Sequence, residues 1–158
     1  MLENTKLTGD ELGLMSLFES VSGATAMDCI IDEEGDEEGV TFLVGEKEFP
    51  KIFRSARGLA TSHKNPFQAV LEHLGRIMRR RVEIVKFSDD ITRFLQDFFS
   101  LSRSESVSVV KRPDGSTYAV IYASPRRKGA IIGRRGYRAK QGRTLARRYF
   151  DLQTIYIK

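Results

Sequence analysis

Apolar residues recur along this chain with two periods, and the alternation between those periods predicts its elements. Leu14, Leu17, Phe18 and Val21 stand at helical spacing behind Thr8-Gly9-Asp10-Glu11, which reads as a capping box, and Ser22-Gly23 ends the run. AMDCIID and VTFLV read as short strands on either side of the acidic turn EEGDEEG, so together they predict a hairpin. Phe49, Ile52, Phe53 and Ala56 mark a helix opened by Pro50. Asn65-Pro66 starts another, because asparagine caps well and proline lacks the N–H that a first turn leaves unpaired. Phe67, Val70, Leu71, Leu74 and Met78 form its apolar face, and RVEIVKF reads as a strand.

The same order then returns. Ser88-Asp89-Asp90 sets acids at the positive end of a helix dipole, and Ile91, Phe94, Leu95 and Phe98 give that helix one apolar face. ESVSVVKR and STYAVIYA are strands around the tight turn Pro113-Asp114-Gly115. PRRKGAII begins a short helix, GRRG interrupts it, YRAKQGRTLARRYF continues as a longer one, and LQTIYIK is a final strand. Helix-strand-strand-helix-helix-strand is thus written twice, roughly 70 to 80 residues apart, with VTFLV matching YAVIY and VEIV matching TIYI. The expectation is an α+β chain of two domains of one kind, 1–87 and 88–158, joined near Lys86-Phe87-Ser88 with almost no linker. So short a link implies that they pack as one semi-rigid body, and copies this small would gain from mutual burial.

Charge separates the two copies. Residues 1–50 hold 13 acids and 2 bases, a net −11, while residues 51–158 hold 24 bases and 8 acids, a net +16. Between Asp114 and Asp151 there are ten lysines and arginines and no acid. A one-signed field of this kind attracts polyanions, nucleic acid first and anionic membrane next, although charge alone also fits a solvated basic face. No stretch approaches the roughly 18 apolar residues of a membrane helix, and the polar N-terminus carries no targeting signal, so the expected compartment is the cytoplasm. One cysteine, Cys29, excludes an internal disulfide; it falls mid-strand, where it is expected buried and inert.

The densest part of the basic field, GAIIGRRGYRAKQGRTLARRYF, contains six arginines and one lysine. A helix that breaks at Gly133-Arg134-Arg135-Gly136 and restarts offers fresh backbone N–H groups at the second helix's N-terminus, where the dipole favours an anion. Glycine tolerates the angles of such a loop and has no Cβ to hold a phosphate away. Arg134 and Arg135 add charge-assisted contacts to phosphate oxygens. Ile131 and Ile132 are expected to face the interior and floor a groove where a base meets apolar surface. Arg126, Arg127 and Lys128 before the loop, and Arg138, Lys140 and Arg143 after it, complete the expected nucleic-acid-binding set. Arg147 and Arg148 either widen that surface or are simply solvated. Tyr118 and Tyr122 share one face of a strand, and aromatic residues at that spacing are more often core than a stacking surface.

IIGRRG between two helices of an α-β-β-α-α-β unit resembles the loop of a type II, prokaryotic KH domain, a module that clamps about four nucleotides of single-stranded RNA or DNA. Two such units on a short chain, with RVEIVKFSDDITRFLQDFF at the junction and LARRYFDLQTIYIK at the end, resemble the archaeal NusA-like transcription elongation and termination factors. The resemblance implies two tandem KH domains and a non-enzymatic monomer with no cofactor. It implies single-stranded RNA, the nascent transcript, as ligand and RNA polymerase as partner. The first copy departs from the pattern. It reads ATSHKNPFQA where the loop should stand, with a proline that has no N–H and a bulky Phe67, so residues 1–87 are expected to be a degenerate KH-like copy. Ala139 stands where the motif carries a larger aliphatic, which implies a shallower groove floor.

Other readings are weaker. A helix-turn-helix corner would also carry Gly133 and Gly136, but such modules are helical around the turn and these are flanked by strands. A phosphate-binding P-loop needs a Gly-Lys-Ser/Thr ending that is absent. The run from Asp32 to Glu38 lacks the alternation of a calcium loop, and His63 and His73 have no partners at zinc spacing. No nucleophile-base arrangement suggests an enzyme. A second functional reading is a ribosomal or ribosome-assembly protein that seats the same fold on structured RNA.

Overall fold

The structure, a computed structural model, describes residues 9–32, 38–55 and 65–158. Thr8 of the capping box, the acidic tip at 33–37, and the segment 56–64 with His63 and Lys64 lie outside the described residues. The chain divides into two compact units, one ending at Phe87 and the other running from Ser88 to Lys158.

In the first unit, α1 (Gly9–Ser22) leads to β1 (Ala26–Asp32) and β2 (Gly39–Val44), then α2 (Phe49–Ser55), α3 (Pro66–Met78) and β3 (Arg81–Lys86). β1 and β2 pair antiparallel, as the hairpin pattern requires, and β2 pairs parallel with β3, so β2 is central. Asn65 caps α3: its Oδ1 accepts from the Phe67 amide at 3.0 Å, with Pro66 in the first turn. Arg79 ends that helix in the left-handed conformation, its N–H returning to the Gly75 carbonyl. The apolar stripe of α1 meets the sheet through Phe18, whose ring stacks on Phe42 at 4.4 Å, and Cys29 is buried in the same core. Helix α3 closes the core with Val70, Leu74 and Met78, three positions of one helical face.

The second unit repeats the plan: α4 (Ile91–Phe98), β4 (Ser106–Lys111), β5 (Thr117–Tyr122), α5 (Lys128–Ile132), a 3₁₀ turn (Arg134–Gly136), α6 (Tyr137–Phe150) and β6 (Leu152–Ile157). Again the sheet is antiparallel at β4–β5 and parallel at β5–β6, with β5 central. Asp90 is the N-cap of α4 and accepts from the Arg93 amide at 3.2 Å. Phe94, Leu95 and Phe98 are buried, as the helical spacing predicts, and Ile91 is half-buried. Phe94 meets Phe150 of α6 at 5.3 Å between ring centroids. Helix α6 packs so close that Gly142 has no room for a Cβ, which would lie 2.6 Å from the Phe99 ring. VTFLV and YAVIY therefore become the two central strands, and VEIV and TIYI the two parallel partners.

Candidate nucleic-acid interface

The break at GRRG is real, and it is built from left-handed backbone. Gly133 sits at φ 82, ψ 170, Arg135 at φ 54, ψ 25, and Gly136 at φ 73, ψ 14. An L-residue with a Cβ resists the positive-φ region, so glycines bracket the turn and Arg135 holds the one strained non-glycine place in it. The Gly133 amide closes α5 on the Gly129 carbonyl at 2.9 Å, and the Gly136 amide returns to the Gly133 carbonyl at 3.1 Å. Gly136 is also the N-cap of α6, which no side chain caps.

The two glycines act differently. A Cβ on Gly133 would lie 2.9 Å from both the Arg138 amide nitrogen and the Arg138 Cβ, so its bareness lets the loop fold onto the first turn of α6. Around Gly136 a Cβ would meet nothing within 4 Å. The absence of a side chain at Gly136 thus leaves the helix N-terminus open to something approaching from outside.

The structure sorts the expected site residues by what already holds them. Arg134 and Arg135 are exposed, as are Arg126 and Lys128, and among the described residues none of these four side chains has a hydrogen-bond or ion-pair partner. Lys140 is exposed on α6. Arg127 is committed elsewhere: its guanidinium pairs with the Glu105 carboxylate and donates to the Ser100 carbonyl at 2.7 Å. Arg138 donates to the Phe98 carbonyl at 2.8 Å and lies over the Phe98 ring. Arg143 and Arg147 each give Nε to a carbonyl of β6, those of Ile155 and Gln153. Each of these four arginines has a partner within the second unit, which a sequence without coordinates cannot show, since a solvated and an anchored arginine look alike in it.

Ile131 and Ile132 also part. Ile131 is 1% exposed and belongs to the core, whereas Ile132 is half-buried and reaches the surface beside the loop. Ala139 is buried. The expectation that Tyr118 and Tyr122 are core is corrected: Tyr118 is half-buried and Tyr122 is 47% exposed, both on the face opposite Ala119 and Ile121, which they share with the buried Val120. In the first unit Phe49 and Phe53 of α2 and Phe67 of α3 meet, with ring centroids 5.7 to 6.0 Å apart.

Glu105 is the residue that sequence reasoning missed. Its carboxylate accepts from the Ser102 amide and hydroxyl, both at 3.0 Å, and from the Ser124 amide at 2.8 Å, besides the ion pair with Arg127. The Ser102 amide does most to hold its pKa below the usual glutamate value; the Ser124 amide, the Ser102 hydroxyl and the Arg127 charge add to it against the effect of burial. The cluster ties the segment before β4 to the turn that leads into α5, and so fixes where the basic loop starts. Among the described residues no group of three or more metal-binding side chains occurs, and no helix is long and apolar enough to cross a membrane.

Comparison with known proteins follows the same lines. No protein-family model matches the chain. A protein of Halococcus morrhuae named probable transcription termination protein NusA is 28% identical over 149 residues, 94% of this chain and 95% of the relative. Proteins of the same name from Methanocaldococcus jannaschii and Thermoplasma acidophilum are each 22% identical, covering 99% of this chain and 76% and 99% of their own lengths. The crystal structure of APE1850 superposes with a TM-score of 0.69 at 28% identity, over 96% of this chain and all of that one. The likeness first read from IIGRRG and the junction segment therefore extends over nearly the whole chain: it is similar throughout to archaeal proteins named probable transcription termination protein NusA.

Proposed function

We propose that this chain is a non-enzymatic, RNA-binding transcription factor of the NusA-like kind, made of two tandem type II KH domains. Residues 88–158 are the domain that grips single-stranded RNA, and residues 1–87 are a copy without the glycine loop. The observation that carries this reading is the loop itself: two exposed, unpartnered arginines between two glycines at positive φ, at the uncapped start of a 14-residue helix. The loop and Arg134, Arg135, Arg126 and Lys128 take the sugar-phosphate chain, and Ile132 offers apolar surface to a base. Peptide groups and guanidinium groups see every phosphate alike, so sequence preference is modest. The name shared by the four archaeal relatives supports a role in transcription, with the nascent transcript as ligand and RNA polymerase as partner.

Arg134→Asp with Arg135→Asp tests it. Fluorescence anisotropy with a single-stranded oligonucleotide is expected to show most of the affinity lost, with the circular dichroism spectrum unchanged. Asp at Lys64 and Asn65 is expected to do much less. If the chain neutralises three or four phosphates, log affinity falls with log salt at a slope of roughly −2 to −3, from about −0.7 per phosphate on a single strand. Equal losses at both places would overturn the assignment of binding to the second copy. Recovery of ribosomal particles rather than polymerase with the purified chain would overturn the transcription role.

A further inference from the structure

The second sheet has a face that the loop does not explain. Ala119 and Ile121 turn one side of β5 to the core, so Tyr118 and Tyr122 stand on the other. Val120, between them, pairs with Tyr156 of β6, which brings a third tyrosine to the same face. Tyr122 is 47% and Tyr156 43% exposed. Tyr118 is held differently: Arg112 lies over its ring at 4.6 Å, and its edge contact with Tyr156 is 5.5 Å between centroids. The same guanidinium donates to the Tyr156 hydroxyl at 3.2 Å and to Gln153 at 2.8 Å. Arg112 thus fastens Tyr118 and Tyr156 in place and leaves Tyr122 and Tyr156 with ring surface open to solvent.

SVSVVK, TYAVIY and LQTIYI, the three strands that build this face, carry no acid. Asp114, in the turn between β4 and β5, is bonded to Ser116 and lies near Arg112, and Glu105 before β4 is paired with Arg127. The Ala123 amide donates to the Lys158 carbonyl at 2.8 Å, so the exposed Lys158 lies beside the end of β5 where Tyr122 stands. From Tyr122 the chain runs directly through the exposed Arg126 and Lys128 into the glycine loop. Open aromatic rings and unopposed cations, continuous with a basic loop, complement a strand that alternates flat bases with phosphates.

We propose that this face is a second contact for single-stranded RNA, in which Tyr122 and Tyr156 stack bases and Lys158 and Arg126 take the intervening phosphates. It rests on the reading of the loop as the RNA grip and extends it: strands longer than the loop's own few nucleotides continue onto the tyrosine face. Stacking accepts any base, so this contact adds affinity with length and little sequence preference.

Length separates the two contacts. Tyr122→Leu with Tyr156→Leu, which keeps apolar volume and removes the rings, is compared with the Arg134→Asp, Arg135→Asp protein on a 4-nucleotide and a 12-nucleotide single-stranded RNA. The tyrosine variant is expected to hold the short strand as the parent does and the long strand at least roughly tenfold more weakly, the scale of one lost base stack. The loop variant is expected to lose both. Ultraviolet crosslinking of the unaltered chain to a 4-thiouridine 12-mer, read by peptide mass, is expected to label the peptides of Tyr122 and Tyr156 whether or not the variant folds. Full long-strand affinity in the folded variant, or no label on those peptides, overturns the stacking face and leaves the loop standing. Failure of the parent to bind either strand overturns both.

Discussion

Arg127 and Glu105 form an ion pair across 22 residues of sequence, joining the turn before α5 to the residue that precedes β4. The carboxylate is wholly buried and accepts two backbone amides as well, so its charged form is what the native state favours. A glutamate held below its usual pKa of 4.5 adds stability that is fully present above that value and is lost as pH falls through the folded pKa. Glu105→Gln is therefore expected to lower the melting temperature at pH 7 and to flatten its fall on the acid side of 4.5. A variant whose acid limb keeps the parent's slope would show that other carboxylates govern it.

The loop glycines are expected to differ when replaced. Gly133→Ala meets both a positive φ and the Arg138 backbone at 2.9 Å, and strain and overpacking together cost about 2 to 4 kcal/mol. At Gly136 the angles are those of the left-handed helix and the space is open, so Gly136→Asn, a residue that accepts them, is expected to cost under about 1 kcal/mol. Urea denaturation of the two variants gives the comparison directly, and equal losses would mean that the close approach to Arg138 is not what demands Gly133.

Periodicity carried most of the fold. The apolar stripes of α3 and α4, the Asn65-Pro66 and Asp90 caps, and the turn at Gly115 are local, so the sequence states them in full. The break at Gly133-Gly136 is equally legible, because two glycines three apart interrupt an otherwise helical pattern. The division of labour among the arginines is not. Arg127, Arg138, Arg143 and Arg147 reach carbonyls or carboxylates that lie 6 to 40 residues away, and nothing in the local pattern distinguishes them from Arg134. The exposure of Tyr122 escapes the sequence for a related reason: period two names the face that a strand residue shares, but not which of the two faces the helices cover.

Gly142 is a second place where tertiary packing overrides local preference. A glycine inside a helix is disfavoured against alanine by about 1 kcal/mol, yet α6 carries one where the ring of Phe99 would lie 2.6 Å from a Cβ and that of Phe98 3.2 Å. Gly142→Ala is expected to destabilise by about 1 to 3 kcal/mol despite the gain in helix propensity, because Phe98 and Phe99 are both buried and cannot yield freely. Gly129, in α5 with nothing within 4 Å, is the control: there alanine is expected to stabilise by about 0.4 to 1 kcal/mol. Stabilisation at both positions would show that α6 shifts away from α4 at little cost.

Strand β6 lies at the edge of its sheet and would offer its outer carbonyls to another chain. Arg143 and Arg147, one turn apart on α6, give Nε to the carbonyls of Ile155 and Gln153 at 3.0 and 3.1 Å, two residues apart on β6. The spacing is that of a helix laid along a strand, each arginine covering one outward carbonyl, so the pair blocks the edge. Arg143→Ala with Arg147→Ala is expected to leave the chain folded but to make it associate more than the parent as concentration rises, seen as a growing weight-average mass in sedimentation. Lysine at both positions restores charge but not the planar donor aimed at a carbonyl, and is expected to rescue association only in part. A double-alanine protein whose mass follows the parent's throughout would mean that the edge is protected by something other than these two side chains.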